Sequence, residues 1–155
     1  GGGSELAHLL SAVAESGASH RLKVLDLQGN TLGPAVGKLD TILAAVEELW
    51  LQDNNMGVEH LAALLPALTH HAVVHTLHLG YNILGDRGAV ALATELGYNH
   101  HLRELHLPNA NLTPKGIAAL IGCLTERHSL ESCSLAYNAV GSEGATAVAH
   151  LLMTC

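Results

Sequence analysis

One pattern is written five times along this chain. It reads Leu22-Lys-Val-Leu-Asp-Leu-Gln-Gly-Asn30, then Val46-Glu-Glu-Leu-Trp-Leu-Gln-Asp-Asn54 and Val74-His-Thr-Leu-His-Leu-Gly-Tyr-Asn82. The fourth copy is Leu102-Arg-Glu-Leu-His-Leu-Pro-Asn-Ala110 and the fifth Leu130-Glu-Ser-Cys-Ser-Leu-Ala-Tyr-Asn138. In each copy the apolar residues and their neighbours alternate, as in a half-buried strand. Such a unit cannot bury its apolar face alone, so copies in register must stack. The repeats therefore fix the architecture and leave function to the variable positions between the leucines.

The Asn position serves as a ruler. Asn30 to Asn54 is 24 residues, and the later intervals, through Ala110 to Asn138, are 28 each. A 28-residue unit has room for a strand, a turn and a full helix. Gly33, Gly57, Gly85 and Gly141 fall three residues past the ruler, where the strand must turn away. In the fourth unit Thr113-Pro114 replaces that Gly and makes a good N-cap and first-turn pair. Gly88, Gly116 and Gly144 follow, where a helix start can pack closely on its neighbour.

Apolar spacing of three and four predicts helices over about Glu5–Glu15, Val58–Thr69, Asp86–Gly97, Pro114–Glu126 and Ser142–Met153. The first unit is four residues short, about one helical turn, and Asp40 interrupts its apolar spacing. A shorter or irregular helix is expected between Pro34 and Ala44. Strand centres are expected at Leu25, Leu49, Leu77, Leu105 and Cys133. Residues 1–4, Gly-Gly-Gly-Ser, read as a linker or expression scar, and residues 5–155 as one domain.

These features resemble the ribonuclease-inhibitor-like class of leucine-rich repeats. The resemblance covers residues 4–155 and rests on the five strand copies, the Asn column and the N-x-φ-G start of the outer helix, φ being apolar. The departures are Ala110 in the Asn column, Cys133 in a leucine column and the short first unit. The resemblance implies an α/β fold: a right-handed solenoid, a horseshoe segment with five parallel strands on the concave face and helices on the convex face. Relatives of this class mostly bind other proteins, so it also implies a non-enzymatic protein–protein interaction module or scaffold.

Composition narrows the partner. The net charge is −7 with His neutral, and nearly half of the residues are apolar. An acidic chain without clustered Lys and Arg argues against nucleic acid and anionic membranes. No apolar run reaches the roughly 18 residues of a membrane span. Cys123, Cys133 and Cys155 have no paired spacing, which suits a reducing, cytoplasmic setting rather than a disulfide framework.

In the strand register the leucines point inward and alternate residues outward. The central outward row is Asp26, Trp50, His78, His106 and Ser134. The row before it is Val24, Glu48, Thr76, Glu104 and Ser132, and the row after it Gln28, Gln52, Gly80, Pro108 and Ala136. One rim carries Lys23, Glu47, His75, Arg103 and Glu131, the other Gly29, Asp53, Tyr81, Asn109 and Tyr137. Trp50 is the only Trp, and Trp is the residue most enriched in interface hot spots. Asp26, Glu48, Trp50, Asp53, His78, Tyr81, Glu104, His106 and Tyr137 are therefore the candidate partner-binding residues. Their acidic excess favours a basic or mixed-charge protein. Alternatively, Trp50 lies flat over its neighbours and the face is merely solvated.

Sharper chemistry is less well supported. His78 and His106 with Glu104 could hold a transition metal, yet no local ligand spacing such as paired Cys accompanies them. Ser134, His106 and Glu104 are the residue types of a catalytic triad, but an open sheet offers no oxyanion hole. Neither an enzyme nor a cofactor is expected. A GTPase activator like the Ran-specific relative would need an Arg or Asn cluster, and Arg21, Arg87, Arg103 and Arg127 are dispersed. His20, His71, His100, His101 and His128 fall between helix ends and strands, where they suit caps. Asn30, Asn54, Asn82 and Asn138 suit a buried ladder serving backbone groups. The fifth unit is built like an interior one, so either further repeats follow or copies associate end to end. A structural segment of a longer solenoid is the rival function.

Overall fold

A computed structural model describes residues 2–17, 21–70, 73–124 and 130–154. The five sequence copies become five three-residue strands: β1 (Val24–Asp26), β2 (Glu48–Trp50), β3 (Thr76–His78), β4 (Glu104–His106) and β5 (Ser132–Ser134). They form one parallel sheet in chain order, with β1 and β5 at its edges. The register matches the copies letter for letter, pairing Leu25 with Leu49, Leu77, Leu105 and Cys133 in turn. Hydrogen bonds outside the strands continue the ladder, for instance Leu51 N–H to the His78 carbonyl at 2.9 Å.

The second layer is helical: α1 (Gly2–Glu15), α2 (Val58–His70), α3 (Gly85–Leu96), α4 (Pro114–Leu124) and α5 (Gly141–Thr154). The shortened first unit has no α-helix. It runs instead as 3-10 helix over Gly33–Thr41 and Leu43–Ala45. The missing turn is made up by the tighter coil, which still buries Leu39, Ile42 and Leu43 while Asp40 faces out. The expected helix bounds hold to within a few residues, except that the expected end of α4 at Glu126 lies outside the described residues. The result is a right-handed leucine-rich-repeat solenoid, strands on one side and helices on the other.

The leucines between the layers form one core. Leu49, Leu77 and Leu105 are wholly buried, as are Leu51, Leu79 and Leu107 two residues on. Truncating any of them to Ala removes about 2–5 kcal/mol of stability. Burial fades at the ends: Leu25 and Cys133 are only half-buried.

Polar bonds hold one unit to the next. The Asn82 amide oxygen accepts from the Asn54 and Met56 N–H groups, and its NH₂ donates to the carbonyls of Leu51 and Leu79. Asn138 repeats this on Ala110, Leu112, Leu107 and Leu135. Asn54 reaches Leu32 and Leu27. Asn30 sits at the exposed end of the column and donates only to the Leu27 and Gln28 carbonyls of its own unit.

Two local expectations are corrected. The Thr113 hydroxyl does not cap its own helix; it donates to Asp86 of the preceding unit at 2.6 Å. The Asp86 carboxylate also accepts the Thr113 and Gly116 N–H groups, so the cap of α4 comes from α3. Any side chain at 116 would strike Asp86, and this is why a glycine stands there. Between α3 and β4 the capping work falls to Asn99, not to His100 or His101, which are exposed. The buried Asn99 accepts from the N–H groups of His101 and Leu102 and donates to the Leu68 carbonyl. His20, His71 and His128 lie outside the described residues.

Candidate functional site

The concave sheet carries the outward row Asp26, Trp50, His78, His106 and Ser134, one residue per strand in direct register. Parallel strands stand about 4.8 Å apart, close to the stacking distance of flat rings, so aromatic residues in one row must stack or splay. They stack. Trp50 and His78 have ring centroids 3.9 Å apart at 18°. His78 and His106 follow at 4.3 Å and 6°. Trp50 lies outside the leucine core, half-buried in this column.

Carboxylates from the preceding row fix the column. Glu48 Oε1 accepts the Trp50 indole N–H at 2.8 Å. Glu104 Oε2 lies 3.3 Å from His106 Nε2. Burial pushes the His78 pKa down, and repulsion from His106 pushes it further. Glu48, Glu104 and Asp26 pull the other way.

The two cations of the rim are already spoken for. Lys23 pairs with Glu47 at 2.6 Å and Arg103 with Glu131 at 2.7 Å. Among the described residues Asp26 accepts only its own loop's Gln28 N–H, so Asp26, Glu48, Asp53 and Glu104 leave the face negative. On the opposite rim, Gly29, Asp53, Tyr81, Asn109 and Tyr137 all take left-handed backbone. Gly, Asp and Asn tolerate this; tyrosine does so at a cost. Tyr81 and Tyr137 are also 50% and 81% exposed, so packing among the described residues leaves much of both rings open. Ile83, 62% exposed beside Tyr81, extends the apolar rim. Sequence reasoning missed it, although its place just after the Asn column signals a turn.

Two rival chemistries fit the geometry less well. Ring nitrogen lone pairs lie in the ring plane, so the parallel imidazoles of His78 and His106 do not converge on one ion. Glu104 and His106 do meet, closer than their spacing along the strand implied, but no described contact joins His106 to the Ser134 hydroxyl. Arg103 is paired and Arg21 and Arg87 stand on distant elements; Arg127 lies outside the described residues.

A separate apolar groove of about 820 Å³ opens at the fifth unit, lined by Ile121, Leu124, Cys133, Leu135, Val140 and Val148 among others. Burial there pushes the Cys133 thiol up to about 11.

A leucine rich repeat family profile matches residues 70–93, 98–120 and 128–149, the third, fourth and fifth units. The chain has the leucine-rich-repeat fold. No curated protein sequence matches this leucine-rich-repeat chain significantly. Among solved structures it resembles actin-binding site 2 of leiomodin-1, with a TM-score of 0.77 and 17% identity over 94% of this chain and 86% of that one. The C-terminal domain of tropomodulin from Caenorhabditis elegans gives 0.76 and 12%, covering 96% and 92%. At such identities the likeness shows the fold.

Proposed function

We propose that this repeat domain is a non-enzymatic interaction module that binds a basic or mixed-charge protein through its concave face, in the cytoplasm. The carrying observation is the ordered column of Trp50, His78 and His106, partly open to solvent and set among carboxylates that no Lys or Arg neutralises. An aromatic anchor in a negative frame suits a hot spot, where a few residues supply most of the affinity. Asp26, Glu48, Asp53 and Glu104 give the steering charge, and Tyr81 and Tyr137 the aromatic rim. In line with this reading, no helix among the described residues is long and apolar enough to cross a membrane.

Since one structural neighbour is an actin-binding site, actin is the first partner to test. Wild type and Trp50→Ala would be used as bait against purified actin and against a cytosolic extract. Loss of about 2 kcal/mol or more in affinity is expected on removing a hot-spot Trp, without much loss of folding stability. Partners retained equally by both baits would overturn the reading.

A second reading rests on the apolar groove beside β5. It makes the domain a segment of a longer solenoid, or one that stacks end to end.

A further inference from the structure

The aromatic column stops at Trp50. One face of the indole is covered by His78 at 3.9 Å. Opposite the other face the direct register partner is Asp26, an exposed side chain too short to cover an indole, with the exposed Val24 and Gln28 diagonal to it. Beyond Asp26 the sheet ends, because β1 is its edge. The ring is also held in place: Glu48 Oε1 takes the indole N–H at 2.8 Å.

The charge around this free face has one sign. Lys23, the nearest cation of the rim, is bound by Glu47 at 2.6 Å. Asp26 and Glu48 therefore face the indole without a cation between them. A flat ring and two carboxylates that no cation neutralises are short of a planar cation rich in N–H groups.

Resting on the concave-face reading above, we propose that the free face of Trp50 seats an arginine side chain of the partner. The guanidinium stacks on the indole and pairs with Asp26 and Glu48. A ring quadrupole attracts a cation placed over its face, and Trp does so best. Arginine fits better than lysine because its planar fork stacks and bonds two carboxylates together. A nucleobase could also stack on an indole, but its phosphates would meet Asp26 and Glu48.

The single tryptophan makes the test direct, since its emission reports this site alone. The whole chain would be titrated with a capped hexapeptide alternating Arg and Ser, and with its twin carrying neutral citrulline. A saturable change in emission is expected, about tenfold weaker for the citrulline peptide. Asp26→Asn should weaken the Arg peptide about tenfold. Glu143→Gln, on exposed α5 and far from the sheet, should leave it unchanged. Equal titration by both peptides would overturn the proposal. So would equal weakening by Asp26→Asn and Glu143→Gln, which marks mere attraction to an acidic protein. If Trp50→Ala abolishes capture of a protein partner while the Arg peptide fails, the seat falls and the concave-face reading stands.

Discussion

His78 and His106 lie face to face, their ring centroids 4.3 Å apart and their planes 6° from parallel. Two such rings cannot both carry charge cheaply. Burial and the His106 charge hold the His78 pKa below 6.5, although Glu48, Glu104 and Asp26 oppose this. The unfolded chain then takes up the proton first as pH falls. The stabilisation is complete above about 6.5 and is lost as pH falls through the folded value. Proton NMR should show His78 titrating below 6.5, and melting temperatures should drop over the same range. His106→Asn should raise the His78 value by removing one charge and opening one ring face. A His78 that titrates above 6.5 would contradict the stacked arrangement.

The bond from Thr113 to Asp86 makes helix α4 depend on the unit before it. Asp86→Ala should cost about 1 kcal/mol, as for a lost helix cap. Gly116→Ala should cost at least as much, because the new Cβ meets both the carboxylate and the backbone of Asp86. The Asp86 carboxyl is held below 3.8, first by the Thr113 hydroxyl and then by the Thr113 amide. Its contribution is present above that pH and fades as pH falls through the folded value. Urea denaturation at neutral pH and at pH 3 would check both the size and the sign.

Asn82 and Ala110 occupy equivalent places and do opposite things. Asn82→Ala would strip two buried N–H groups, of Asn54 and Met56, of their acceptor, and should cost about 3 kcal/mol or more. Ala110→Asn restores the column. By analogy with Asn138, its oxygen would accept from the N–H groups of Asn82 and Leu84. A gain of about 1 kcal/mol is expected, in the range of consensus substitutions. Thermal melts of the two variants moving the same way would refute the ladder.

The strands, their register, the helix faces and the outward row were all legible in the sequence, because the period-two alternation is a local signal repeated five times and the 28-residue interval recurs three times. What stayed illegible depends on contacts between units. Nothing beside Thr113 indicates that its hydroxyl serves Asp86, and the His-rich junctions masked the role of Asn99. The stacking of Trp50, His78 and His106 was open too. The register put them in one row, but ring orientation depends on Glu48 and on burial.

Tyr81 and Tyr137 adopt φ near 57°, a region that costs a non-glycine residue roughly 1–2 kcal/mol. Asn109 holds the same place between them without that cost. Tyr81→Asn and Tyr137→Asn should therefore raise stability by about 0.5–1 kcal/mol. If the tyrosines serve the concave site, the same variants should weaken partner capture. Destabilisation by Asn would mean that the rings pack within this chain, which their exposure argues against.

Among the described residues the fifth unit leaves an apolar groove beside the edge strand β5, and an uncovered edge with apolar lining tends to recruit another chain. At the other end, β1 presents its own free edge and the half-exposed Val24. Rim charges agree: Glu131 of one copy would stand beside Lys23 of the next, as Glu47 stands beside Lys23 within the chain. Contact of one end with the other is heterologous and does not close, so it builds open chains rather than dimers. In sedimentation equilibrium the weight-average mass should thus rise continuously with concentration, without a plateau at twice 16.2 kDa. Val148→Glu, which puts a charge into the groove, should return the protein to a monomer, with a circular-dichroism spectrum like the wild type's as the check on folding. A wild type that stays monomeric at millimolar concentration would exclude stacking of copies and leave further repeats as the cover for this groove. A wild type that halts at a dimer would exclude end-to-end growth and point to a symmetric pairing of two grooves.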